Sequence, residues 1–236
     1  QVVANNNTNL AANTETECNQ IAAPLANINA QDGFLTPVAE INGKYFTTLQ
    51  AAINAAAEDE TVKLLADVNY SLDPSTFTAK HGDDDAALFV LADDKLTIDL
   101  NGNTISVVAT LPEGAKTAHS GAIINNGDLT IDDSSDEKEG KVTFKYVGIY
   151  DEGYKRHGVV MNLGTLTVNA GTLENVTELQ NQQAIDNTNY NKTEVSVVID
   201  GGTIKSAGYY AIDMVGYYDF EPALKNSVVI NDGTID

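Results

Sequence analysis

The feature that most constrains this chain is one phrase written five times. Segments beginning at Leu96, Leu129, Leu166, Val197 and Val228 read LTID, LTID, LTVN, VVID and VVIN, at spacings of 33, 37, 31 and 31 residues. Self-similarity at such a period marks a solenoid, whose single coils cannot bury an apolar face alone. Each unit holds up to three strand-like pieces. The first is AALFV (86–90), GAIIN (121–125), GVVMN (158–162), QAID (183–186) or YAID (210–213); the third is NTISV, KVTF, GTLEN, GTIKS or GTID. In the second piece Leu96 and Ile98 point one way and Thr97 the other, and the 129–131 and 166–168 triplets repeat that parity. Stacked coils would align these residues in columns about 4.8 Å apart. The expected fold class is all-β, a parallel β-helix.

After each second piece stands Asp99, Asp132, Asn169, Asp200 or Asn231, with Gly102, Gly171, Gly201 and Gly233 close behind. Short Asx side chains bond the nearby backbone and Gly supplies positive φ, so the column reads as a turn; a cation ladder is the alternative. The outward column Thr97, Thr130, Thr167 gives way to Val198 and Val229, which excludes an ice-binding array.

Ahead of the repeat, Thr47 or Thr48 can cap a helix whose Leu49, Ala52, Ile53 and Ala56 fall at helical spacing. TVKLLADV then reads as a strand, with Val62, Leu64 and Ala66 on one side. A helix in front of a strand array is placed to cover its open edge. Residues 1–31, rich in Asn, Ala and Thr, read as a flexible leader, stalk or anchoring segment ordered only by a partner, or as a buried donor strand. The expected division is 1–31 leader, 32–70 capping helix and first strand, and 71–236 rungs. The start at Gln1 reads as processing or excision, and the stop inside a unit reads as a solenoid that continues or is covered by another chain.

The stretch YFTTLQAAINAAAEDETVKLLADV resembles the start of the repeat domains of large bacterial surface and adhesin proteins. There a Y-x-T-L-Q-A-A-I helix precedes a right-handed parallel β-helix. AIINNGDLTIDDSS and IDGGTI are similar to rungs of the same pectate-lyase-like group. The resemblance covers about residues 38–236. It implies a right-handed parallel β-helix with an N-terminal capping α-helix. It implies no single activity, because this fold carries lyases, glycosidases, adhesins and phage spikes alike.

Charge narrows the partners. Thirty-four acids against 13 bases give a net charge of −21, which repels nucleic acid and anionic membranes. No apolar run reaches the roughly 18 residues of a membrane span. The acid excess suits solubility outside the cell, so an extracellular or cell-surface location is expected. Cys18 is the only cysteine, so no internal disulfide forms, and a bridge through it would have to be intermolecular.

By resemblance, lyases of this fold use calcium on clustered carboxylates with an Arg or Lys base. The one arginine lies in YVGIYDEGYKRHG (146–158). Asp151, Glu152, Arg156 and His157 are therefore the catalytic candidates; such groups could abstract a proton beside a carboxylate or flank a glycosidic bond. The plainer reading is a solvated loop whose charges pair with one another. The lyase motifs themselves are not visible, so no catalytic role is carried over. His81, His119 and His157 stand 38 residues apart, a loose candidate metal column. Tyr146, Tyr150, Tyr154, Tyr209, Tyr210, Tyr217 and Tyr218 are the ligand-binding candidates, because exposed aromatics in a row suit sugar rings or a flat protein partner. The alternative is that they fold over the solenoid and cover an apolar flank.

The expected function is a non-enzymatic surface or fibre module that binds glycan or a host-surface protein through its loops. It would need no cofactor, with calcium the one ion in view. A polysaccharide lyase or glycoside hydrolase, and a phage or appendage fibre self-associating through residues 1–31 or its last rung, are the alternatives.

Overall fold

A computed structural model describes residues 36–72, 84–110, 119–147, 156–178, 182–189, 194–208, 210–216 and 226–236. The expected leader, 1–31, lies outside them. The described chain opens on a hairpin, β1 (Ala39–Ile41) and β2 (Lys44–Phe46), followed by one short helix, α1 (Leu49–Ala55). Among the described residues, everything after α1 is strand, turn or irregular connection.

Three parallel sheets stack side by side. Sheet A holds β3 (Glu60–Leu64), β6 (Lys95–Asp99), β9 (Asp128–Asp132), β12 (Thr165–Val168), β15 (Val195–Ile199) and β18 (Asn226–Ile230), with the β1–β2 hairpin added antiparallel beyond β3. Sheet B holds β4 (Val68–Leu72), β7 (Thr104–Thr110), β10 (Lys141–Val147), β13 (Thr172–Asn175), β16 (Thr203–Ser206) and β19 (Thr234–Ile235). Sheet C holds β5 (Asp84–Val90), β8 (His119–Asn125), β11 (Arg156–Asn162), β14 (Gln182–Asn189) and β17 (Tyr210–Gly216). The chain visits C, A and B in turn, so every coil pairs with the coils before and after it. This is a parallel β-solenoid. The parallel ladder already begins at β3 and β4, which pair with β6 and β7.

The register is the one the repeat dictates. Leu96, Leu129, Leu166, Val197 and Val228 are successive partners, and so are Ile98, Ile131, Val168, Ile199 and Ile230. Both columns face inward and are buried until the last coil. The outward threonine column runs Thr61, Thr97, Thr130, Thr167. In sheet B, Ile105, Val142, Leu173 and Ile204 form the facing inward column. Burying them removes apolar surface at about 25 cal/mol per Å², which no single coil could do.

One buried column is polar. Asn125, Asn162 and Asn187 are register partners at the end of the sheet C strands and fully buried. Asn125 Nδ2 donates to Asn162 Oδ1 at 2.8 Å, and Asn162 Nδ2 donates to Asn187 Oδ1 at 2.8 Å. The amides also reach the chain at the corner: Asn125 donates to the Thr165 carbonyl at 2.8 Å and Asn162 to the Ser196 carbonyl at 2.9 Å. An amide has two donors and an acceptor, so it can bond the coil above and the backbone together.

Helix α1 sits where the strand edges begin. Thr48 is its N-cap, accepting the Ala51 N–H at 3.2 Å, and Leu49, Ala52 and Ile53 join the core. Gln50 closes backbone groups of β5, the edge strand of sheet C. Its amide donates to the Phe89 carbonyl at 2.9 Å and accepts the Phe89 N–H at 2.8 Å, as a neighbouring strand would. At the other end, Ile230 and Ile235 of β18 and β19 are exposed.

Two substitutions test this account. Asn162→Ala should cost about 1–3 kcal/mol, because it strands buried partners in two coils. Thr130→Ala, on the outward column, should stay within about 0.5 kcal/mol. Urea unfolding of the two variants reads the difference.

Candidate functional site

Five of the six corners between sheets A and B span three or four residues, and the sixth, 133–140, spans eight. Between sheets A and B every turn is described, and the Asx column acts there on backbone. Asp99 Oδ1 accepts the Asn101 N–H at 2.9 Å and, from the next coil, the Ser134 N–H at 2.8 Å. Asn101 and Gly102 both take positive φ, 47° and 77°, which is why a short polar residue and a glycine stand there. Higher up, Asn231 Nδ2 donates to Asp200 Oδ1 at 2.7 Å. In the fourth unit the left-handed glycine is Gly202 (φ 78°) and not Gly201.

The following residue, Asp133, is the centre of the longest of these corners. It is buried. Its Oδ1 accepts the Gly102 N–H at 2.8 Å, the Ser135 N–H at 3.1 Å and the Ser135 hydroxyl at 2.7 Å; its Oδ2 accepts the Gly140 N–H at 2.6 Å. Lys138 Nζ donates to its carbonyl. Burial alone would raise the carboxyl pKa, but the Ser135, Gly140 and Gly102 donors outweigh it and hold the group below the usual carboxylate range. A carboxylate so occupied is a turn organiser. Among the described residues no group of three or more His, Cys, Asp and Glu is placed to hold a metal ion.

The chain inserts residues 73–83, 111–118 and 148–155 ahead of sheet C strands, and residues 190–194 and 217–225 after the last two. Of the sequence candidates, Arg156, His157 and Tyr210 fall on described sheet C strands. Arg156 and His157 are the first two residues of β11. Arg156 pairs with His119, and His157 with Ser120 and Gln182. His119 and His157 are thus one residue out of register and share no column. Asp151, Glu152, His81, Tyr150, Tyr154, Tyr209, Tyr217 and Tyr218 lie outside the described residues, as do the side chains of Arg156, His157 and His119.

Two of the candidate tyrosines are described, and they differ. Tyr146 pairs with Ala109 on the inward face, is only 7% exposed, and has its phenol pKa raised by burial. It packs in the core and is not on display, which corrects its place among the ligand-binding candidates: the period-2 parity of β10 turns Val142, Phe144 and Tyr146 inward together. Tyr210 is 51% exposed and pairs with Gln183.

Sequence reasoning missed one juxtaposition in sheet C. Phe89, Ile124, Met161, Asp186 and Asp213 are successive partners. Ile124 and Met161 form a small apolar cluster with Ala86, separate from the main core. The same column then turns acidic. Asp186 is buried and accepts from Gln183 Nε2 at 3.1 Å. Neighbouring parallel strands place Asp186 and Asp213 about 4.8 Å apart along the stack. The signal was present in QAID and YAID, whose Asp replaces the apolar residue of earlier units. Two neighbouring carboxylates can serve as acid and base on a glycosidic bond.

Comparison with protein-family models, curated proteins and solved structures finds no match. What is shown of the resemblance to bacterial repeat domains is the parallel β-solenoid itself.

The Asp133 corner carries a pH prediction. A carboxyl whose folded pKa is lowered stabilises the fold above its unfolded pKa, and that stability is lost as pH falls through the folded value. Stability should fall with acidification below about pH 4. Asp133→Asn should flatten that acid limb and cost about 1–3 kcal/mol at neutral pH, where an amide faces N–H donors. Chemical denaturation at several pH values measures both.

Proposed function

We propose that the protein is a non-enzymatic extracellular surface module of the right-handed β-helix type. Its solenoid is the scaffold, and the connections around sheet C are the part that meets a glycan or a surface protein. The observation that carries this reading is the asymmetry of the corners. The A-to-B turns are held by Asx side chains and backbone, whereas the longest connections in the chain adjoin sheet C strands in sequence. Connections adjoining sheet C strands contain Tyr150, Tyr154, Tyr190, Tyr217 and Tyr218. Binding residues concentrate on loops held by a rigid scaffold.

The second reading is a glycan hydrolase, and the neighbouring Asp186 and Asp213 favour it. Product separates the two. With the full chain on a glycan array, a binding module retains its ligand intact. Tyr217→Ala with Tyr218→Ala should then weaken retention by about 1–2 kcal/mol while the fold persists. Turnover that disappears in Asp186→Asn would instead establish the hydrolase.

A further inference from the structure

We infer that the outward face of sheet B is a docking surface for a sparsely charged anionic glycan, which deepens the glycan-binding reading above and rests on it. The chain carries a net charge of −21, yet the outward positions of strands β7, β10, β13 and β16 carry Lys141, Lys145 and Lys205 against Glu174, with the exposed acids Asp67 and Asp236 only at the two ends of those columns. Sheet A differs: its outward residues set Lys63 and Lys95 against Asp99, Asp128 and Asp132.

Glu174 is neutralised on its own face by Lys205, at 3.2 Å. Among the described residues Lys141 and Lys145 have no ion-pair partner, and both are exposed. The rest of the face is flat and rich in hydroxyls. Thr104, Lys141, Thr172 and Thr203 are successive partners, and Ser106, Thr143, Glu174 and Lys205 form the next column. Beyond them Val108 pairs with Lys145, and the exposed Val147 and Val176 complete an apolar margin beside that ammonium. Hydroxyls and ammonium groups suit sugar hydroxyls and carboxylates, and the valines suit the C–H face of a ring.

The spacing chooses the polymer. Lys141 and Lys145 are four residues apart on one strand, about 13 Å. That suits a chain with widely spaced carboxylates. Duplex nucleic acid, with a charge every ~1.7 Å, meets the repulsion of the whole molecule.

The test uses the full chain with hyaluronan, which has one carboxylate per disaccharide, and with neutral dextran. The expected result is retention of hyaluronan over dextran, weakened by salt. Lys141→Gln with Lys145→Gln should lower hyaluronan affinity about fivefold or more with the unfolding midpoint in place. Lys95→Gln, whose lysine is paired with Asp59 at 2.8 Å, should leave it unchanged. The inference is overturned if the double variant binds hyaluronan like the parent, if Lys95→Gln weakens it equally, or if nucleic acid is held more tightly than hyaluronan. If hyaluronan is ignored while another glycan is retained and lost in the Tyr217/Tyr218 variant, the inference falls and the glycan reading survives. If an array of neutral and anionic glycans is ignored altogether, both fall.

Discussion

Everything in this molecule depends on hydrogen bonding between coils in fixed register. A parallel strand cannot satisfy its backbone within its own coil, so each coil needs another beneath it. Register then decides side chains, because a slip of one residue would turn every inward leucine to solvent. The Leu96–Leu129–Leu166 and Ile98–Ile131–Val168 columns hold the apolar side of that register. The Asn125–Asn162–Asn187 column holds it by direction, since an amide that bonds both the next coil and the corner has little freedom to slide.

The same constraint explains how the edges are treated. The edge of a parallel stack presents unpaired backbone groups. At the first coil the chain meets that demand by two routes. An antiparallel hairpin completes sheet A, and the Gln50 amide substitutes for a strand against Phe89 in sheet C. The helix thus contributes one polar side chain at the edge as well as Leu49, Ala52 and Ile53 in the core.

Fixed register also makes the faces chemically distinct. Because columns are continuous, a change of residue type along one column becomes a place on the surface. The sheet C column passes from Ile124 and Met161 to Asp186 and Asp213, and the sheet B face gathers lysines in an acidic chain. The A-to-B turns are short in every coil but the one at 133–140, and the longest connections in the chain adjoin sheet C strands in sequence.

Much of the fold was legible in the chain. The phrase beginning at Leu96 fixed the coil length, the inward and outward parity and the Asx turns, because a repeat writes the same local solution each time. Thr48 and the Leu49, Ala52, Ile53 spacing marked the helix for the same local reason. β4, the Gln50 clamp and the Gly102 and Gly140 donors on Asp133 were not legible, since each depends on a partner outside its own local segment. Nor was the burial of Tyr146, which an aromatic count places with the exposed tyrosines and the pleat of β10 turns inward. The sequence by itself determined that this protein is a stack of coils with a patterned core. Only the tertiary structure decided which residues of different coils become neighbours, because adjacency across a solenoid is set by register, and register belongs to the stack as a whole.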